Sequence, residues 1–63
     1  MRADAAAEAI QELEAAAEAL AYVLLLIRHG STRAQAIEAY RRLAGVQGIC
    51  ARVGLALQRS LNL

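Results

Sequence analysis

The sequence predicts an all-α fold, an antiparallel helical hairpin that assembles into a four-helix bundle. Sixteen of the 63 residues are alanine, the strongest helix former, and the chain contains no proline. Apolar residues recur at alternating spacings of three and four on both sides of one turn signal, His29–Thr32. A single domain is therefore expected over residues 1–63, with helices at about 3–29 and 33–61 and a turn at 30–32.

The first helix is predicted from about Ala3 to His29. Asp4 falls in its first turn, where the positive end of the helix dipole favours negative charge. Its apolar residues keep a coiled-coil spacing for nearly four heptads and form a seam that is expected to face the second helix of the same chain. The residues of this seam are Ala3, Ala6, Ile10, Leu13, Ala17, Leu20, Leu24 and Ile27.

The turn is predicted from three local signals. Gly30 suits the left-handed position that commonly ends a helix. Thr32 is a good N-cap for the next helix, and Gln35, three residues later, completes a capping box. These residues therefore indicate the end of one helix, a bend, and the start of another.

The second helix is predicted from about Arg33 to Leu61, but its glycines leave two interpretations open. Each glycine inside a helix costs about 1 kcal/mol relative to alanine. Either the helix is continuous or bent, and the small residues Ala44, Gly48 and Ala51 let another helix approach closely, or it breaks near 45–48 and gives three helices. The apolar positions are Ala36, Ala39, Leu43, Val46, Cys50, Val53 and Leu57, with Ser60 continuing the spacing.

A second chain is expected to cover the apolar run 22–27. Val23, Leu25 and Leu26 lie off the seam and are predicted to face water in a lone hairpin. Each large aliphatic side chain left exposed forgoes about 1.5–3 kcal/mol of possible burial, so we predict a homodimer. The predicted interface set is Leu20, Val23, Leu24, Leu25, Leu26, Ile27, Tyr40, Leu43, Cys50, Val53 and Leu57.

Charge is unevenly divided between the two halves of the chain. The overall charge is +1, yet residues 1–27 carry five acidic residues against one arginine, whereas residues 28–63 carry six arginines against one glutamate. In an antiparallel hairpin Glu18 should come near Arg41 and Arg42, and both Glu8 and Glu12 should come near Arg52. Such exposed pairs contribute only ~0–1 kcal/mol each, so they align the helices more than they stabilise them.

Arg28-His29-Gly30 follows a short apolar run, and this segment resembles the opening signature of the histidine phosphatases. By that resemblance His29 would accept a phosphoryl group and Arg28 would bind phosphate. The family also needs a second histidine, further arginines and an acidic proton donor on a large parallel sheet. Because the chain has one histidine and no sheet pattern, we predict a helical turn here, no catalytic residues and no enzyme.

No cofactor or metal site is predicted either. His29 and Cys50 are the only imidazole or thiol donors, and a metal site needs a cluster of ligands. Cys50 is expected to be buried among apolar positions. The longest apolar run, Ala19–Ile27, falls far short of the roughly 20 residues that span a bilayer. We therefore expect no membrane span and a cytoplasmic, reducing environment.

A DNA-binding interpretation competes for the second half of the chain. Residues 33–61 loosely resemble a helix-turn-helix with its turn at Leu43–Val46. Gln47, Arg52, Gln58 and Arg59 would then face the groove or the phosphates. However, the apolar spacing already explains most of this stretch, and the acidic first half would repel DNA, so nucleic acid is not the expected partner.

Most of the chain resembles the small cochaperones of type III secretion needle subunits. The likeness rests on "IRHGST" at the bend and on "YRRLAGV" through "LALQRSL" after it. This resemblance implies a helical hairpin that holds a helical partner protein together with a second chaperone. The architecture also resembles the plasmid copy-number regulator Rop, a homodimeric four-helix bundle. We predict a non-catalytic association module that acts as a dimer, with the chaperone or adaptor role and the DNA-binding role as alternatives.

Overall fold

The computed structural model describes residues 2–62 and contains two helices, α1 (Ala3–Arg28) and α2 (Arg33–Leu61). They lie side by side and antiparallel in a rod of 44 × 18 × 14 Å. The prediction of an all-α helical hairpin is confirmed for this part of the chain.

The two ends of helix α1 are stabilised by local hydrogen bonds. Arg2 is extended and gives no side-chain cap, but its carbonyl accepts a hydrogen bond from the N–H of Ala6 at 2.8 Å. The Asp4 carboxylate accepts the N–H of Ala5 at 2.9 Å, which satisfies one otherwise unpaired donor of the first turn. At the other end the N–H of His29 donates to the carbonyl of Leu25 at 3.1 Å.

The connection between the helices has the chemistry that the sequence predicts. Gly30 has φ +71°, the left-handed conformation that glycine adopts without steric cost. The Thr32 hydroxyl accepts the N–H of Gln35 at 3.3 Å, and the Gln35 side chain accepts the N–H of Thr32 at 2.9 Å. This reciprocal capping box starts α2 at Arg33.

Helix α2 runs without interruption from Arg33 to Leu61. The alternative with a break near 45–48 is therefore wrong, and the same continuity leaves no turn at residues 43–46 for a helix-turn-helix. Close packing within the chain does not explain the glycines either. A β-carbon built at Gly45 or Gly54 would meet no atom within 4 Å, and one at Gly48 would meet only the end of the Arg52 side chain at 3.4 Å.

The hairpin is held together by a narrow inward stripe made mostly of small side chains. Its members are all buried or half-buried, and consecutive members lie about one helical turn apart, except that Ala39 and Val46 lie two turns apart. They are Ala5, Ala9, Glu12, Ala16, Ala19, Val23 and Leu26 in α1, and Ala39, Val46, Ile49, Val53 and Ala56 in α2.

The stripe that faces α2 differs from the predicted seam by one residue throughout α1. Ile10, Leu13, Leu20, Leu24 and Ile27 are exposed instead of facing α2, which corrects the sequence prediction. Val23 and Leu26 were expected outside and are buried, at 5% and 9% exposure. The physical reason is size, because alanine lets two helix axes approach closely whereas a row of leucines would hold them apart.

Candidate association surface

A broad apolar face covers one side of the hairpin. In each helix it is formed by the residues that follow the inward positions, about 100° further round the helix. Because the two helices run in opposite directions, these rotations bring both sets to the same side. The face consists of Ala3, Ala6, Ile10, Leu13, Ala17, Leu20, Leu24 and Ile27 from α1, and Ala36, Tyr40, Leu43, Gln47, Cys50, Gly54, Leu57 and Leu61 from α2.

This broad apolar face carries no charged side chain along its whole length. Its large residues are strongly exposed in the single hairpin: Tyr40 at 75% and Ile27 at 66% are the extremes. Large contiguous apolar surfaces of this kind mark association sites in soluble proteins. The face is therefore the strongest candidate for a functional surface on this chain.

Part of the predicted interface set lies on this face and part does not. The members found there are Leu20, Leu24, Ile27, Tyr40, Leu43, Cys50 and Leu57. Val23, Leu26 and Val53 are buried between α1 and α2, and Leu25 is exposed on the opposite side.

Three large residues of the broad apolar face are missing from the predicted interface set. Ile10 and Leu13 had been assigned to the contact within the hairpin, and Leu61 continues the apolar spacing of α2. The signal that could have found them is the unbroken heptad spacing in both helices.

Cys50 lies on the broad apolar face and is exposed as a free thiol. The expectation that the hairpin buries it is wrong, because Ile49 occupies the inward position next to it.

The opposite side of the hairpin carries charge and joins the two helices through polar contacts. The Arg52 guanidinium donates to one Glu12 carboxylate oxygen from Nε and from Nη2, at 3.3 Å each, as predicted. Arg42 lies over the Tyr22 ring, 4.3 Å from its centre, and pairs with Glu38 at 3.1 Å in place of the predicted Glu18. The two long-range contacts fix which residues of α1 and α2 share a level.

The residues of the phosphatase-like motif lie at the end of α1 and in the connection after it. Arg28 is the last residue of the helix, His29 is its C-cap, and Gly30 supplies the left-handed bend. All three are exposed. Their backbone roles account for the sequence "RHG" as helix termination. Within residues 2–62 no group of three or more His, Cys, Asp or Glu side chains could hold a metal ion.

The single hairpin exposes more surface than its mass requires. Its accessible area is 5010 Å², whereas a compact monomer of 6.7 kDa has about 3,900 Å². A stable interface buries about 800 Å² of accessible surface from each partner. The excess of about 1,100 Å² is therefore large enough to supply one partner's share of such an interface.

Neither helix, within the described residues, contains a stretch that is long and apolar enough to cross a bilayer. Comparison of the chain with protein-family models, with curated proteins and with solved structures found no match.

Proposed function

We propose that this protein is a non-catalytic association module whose broad apolar face binds a second copy of the same chain to form a four-helix bundle. The observation that carries the proposal is a continuous uncharged face on a hairpin that buries few of its own apolar side chains. Within residues 2–62 the buried side chains are Ala16, Val23, Leu26, Ala39 and Val53.

A second copy is favoured as the occupant because the face matches itself in size and in charge. The hairpin exposes enough surface beyond that of a compact monomer to supply one partner's share of a stable interface, and neither copy would place a charge in the contact. Stability points the same way, since a hairpin with so few buried side chains has a marginal core and usually needs a further support. A hetero-partner helix, as in a chaperone or adaptor, is the competing occupant.

The proposal is tested by particle mass in solution with a matched pair of variants. Leu24, on the face, and Leu55, on the opposite side, are both 47% exposed in the single hairpin. Light scattering after size exclusion should give twice the chain mass for the wild type and for Leu55→Glu. Leu24→Glu should weaken dimerisation at least about 100-fold, because symmetry removes two buried leucines at about 1.5–3 kcal/mol each.

Two results would contradict the proposal. One is a folded wild-type monomer at micromolar concentration. The other is equal dissociation of both variants, which would show that dimerisation does not depend on this face. A wild-type monomer that captures a helical partner only through Leu24 and its neighbours would support the chaperone or adaptor role instead.

A further inference from the structure

We infer that the two hairpins of the proposed dimer pack with their turns at opposite ends, about a two-fold axis at the level of Ala17 and Gln47. This inference rests on the proposed function. It goes further by fixing which residues of the two copies meet.

The contacts within one hairpin show which residues of α1 and α2 share a level, and an axis near the middle of both helices lets the two faces overlap along their full length. Glu12 contacts Arg52, and Tyr22 contacts Arg42. Ala17 lies midway between the two α1 residues and Gln47 lies midway between the two α2 residues, so they share a level. This level is also close to the middle of both helices.

A two-fold axis at this level pairs large with small residues along the α2 contact. Tyr40 meets the partner's Gly54, because both lie seven residues from Gln47 on opposite sides. Leu43, four residues before Gln47, meets the partner's Cys50, three residues after it. Further out, Leu57 meets the partner's Ala36. Each contact fills the space above a small residue with a large one, as dense packing requires.

The α1 contact is self-complementary about the same level. Ile10 lies seven residues before Ala17 and Leu24 lies seven residues after it, so Ile10 of each copy meets Leu24 of the other. Ile27 meets the partner's Ala6, so a large residue again faces a small one. Ala17 meets its own copy on the axis, where two small side chains allow the closest approach of the helices.

The alternative dimer, with both turns at the same end, leaves the Gln47 amide without a counterpart. It would set α1 of each copy against α2 of the other, so Gln47 would face the partner's Ala17 at the shared level. A buried amide with no hydrogen-bond partner is destabilising.

Gln47 carries the only side-chain amide of the broad apolar face, and it lies on the inferred axis. Two amides related by this axis can pair, each donating an N–H to the carbonyl oxygen of the other. A single buried polar pair of this type fixes register and orientation in coiled coils at some cost in stability. Gln47 is therefore the residue that specifies this arrangement.

Single-cysteine variants test the orientation. In a Cys50→Ala background, Gln47→Cys and Ala17→Cys each place two thiols on the axis in the opposite-end dimer. In a four-helix bundle adjacent helix axes lie about 8–10 Å apart, and diagonal axes lie about 1.4 times farther apart. A disulfide needs two Cα atoms within about 7 Å of each other. Only residues that point into the contact between adjacent helices meet this distance. Under mild oxidation Ala17→Cys, which keeps the Gln47 amide, should give at least about tenfold more cross-linked dimer than Ala15→Cys on the opposite side.

The same-end dimer predicts a different pattern. There residue 17 lies beside residue 47 of the partner, so cross-links should form only when the two variants are mixed. That pattern would overturn the inference and leave the proposed function intact, as would a dimer of full mass in which neither variant cross-links. A monomeric wild type would overturn both.

Discussion

At the scale of single residues, Gly30 differs from the glycines inside α2, because only Gly30 has a backbone conformation that requires glycine. Gly30 needs its positive φ of +71° to end α1, whereas Gly45 lies inside α2 with open space around the position of a β-carbon. The same substitution should therefore have opposite effects at the two positions.

Gly45→Ala should stabilise the protein by about 1 kcal/mol per chain, because alanine loses less backbone entropy on entering a helix. Gly30→Ala is the matched control, since neither position has an atom within 4 Å of the added carbon. It should destabilise by about 1–2 kcal/mol through left-handed strain. Urea unfolding at one fixed protein concentration measures both. A loss of stability in Gly45→Ala would show that something outside the chain packs against this position.

At the scale of the helices, the inward stripe depends on small side chains. Ala16 is buried between α1 and α2 at 5% exposure, while its neighbour Ala15 is exposed on the polar side. The two alanines differ in surroundings but share the same helix and backbone.

Ala16→Leu should destabilise by about 1–3 kcal/mol, because the larger side chain must force the helices apart or leave its preferred rotamer. Ala15→Leu should change stability by no more than about 0.5 kcal/mol. Thermal unfolding followed by circular dichroism distinguishes them. If Ala16→Leu were as stable as the wild type, α1 and α2 would not pack through this stripe.

The helices and the turn could be predicted from sequence, whereas the inward face could not. Gly30, Thr32 and Gln35 act through local backbone chemistry, so their spacing was enough. In contrast, α1 carries two stripes with the same spacing, one that includes Ala16 and Val23 and one that includes Leu20 and Leu24. Hydrophobicity favoured the stripe of larger side chains as the inward face, but α1 and α2 approach each other most closely through the stripe of smaller ones.

The packing of α1 against α2 through its alanine stripe also explains why the candidate surface was predicted only in part. Once the alanine stripe closes the hairpin, the leucine stripe is left outside. Tyr40, Leu43 and Leu57 are exposed, as residues of an interface must be in the single hairpin, whereas Val23 and Val53 are buried inside it. Sequence alone shows that apolar surface exceeds what one hairpin can bury, but not which stripe remains.

At the scale of the whole molecule, folding and association are expected to be linked. A dimer that forms as it folds gains stability with protein concentration, by about 1.4 kcal/mol for each tenfold increase.

The melting temperature of the wild type should therefore rise by about 5 °C for each tenfold increase in concentration. Leu24→Glu, if still folded, should melt at a temperature that does not depend on concentration. Differential scanning calorimetry across two decades of concentration gives the answer. A constant melting temperature in the wild type would mean that a lone hairpin supplies all of the stability.

The inward stripe and the broad apolar face share no residue, and this separation bears on how such a protein can evolve. Mutations on the face leave the contact between α1 and α2 unchanged, so they alter the choice of partner without altering the hairpin. After a gene duplication, two copies could acquire matching changes at Tyr40 and Gly54 and pair with each other in preference to themselves. A family of mutually selective hairpins could then arise from one ancestral sequence with no change of fold.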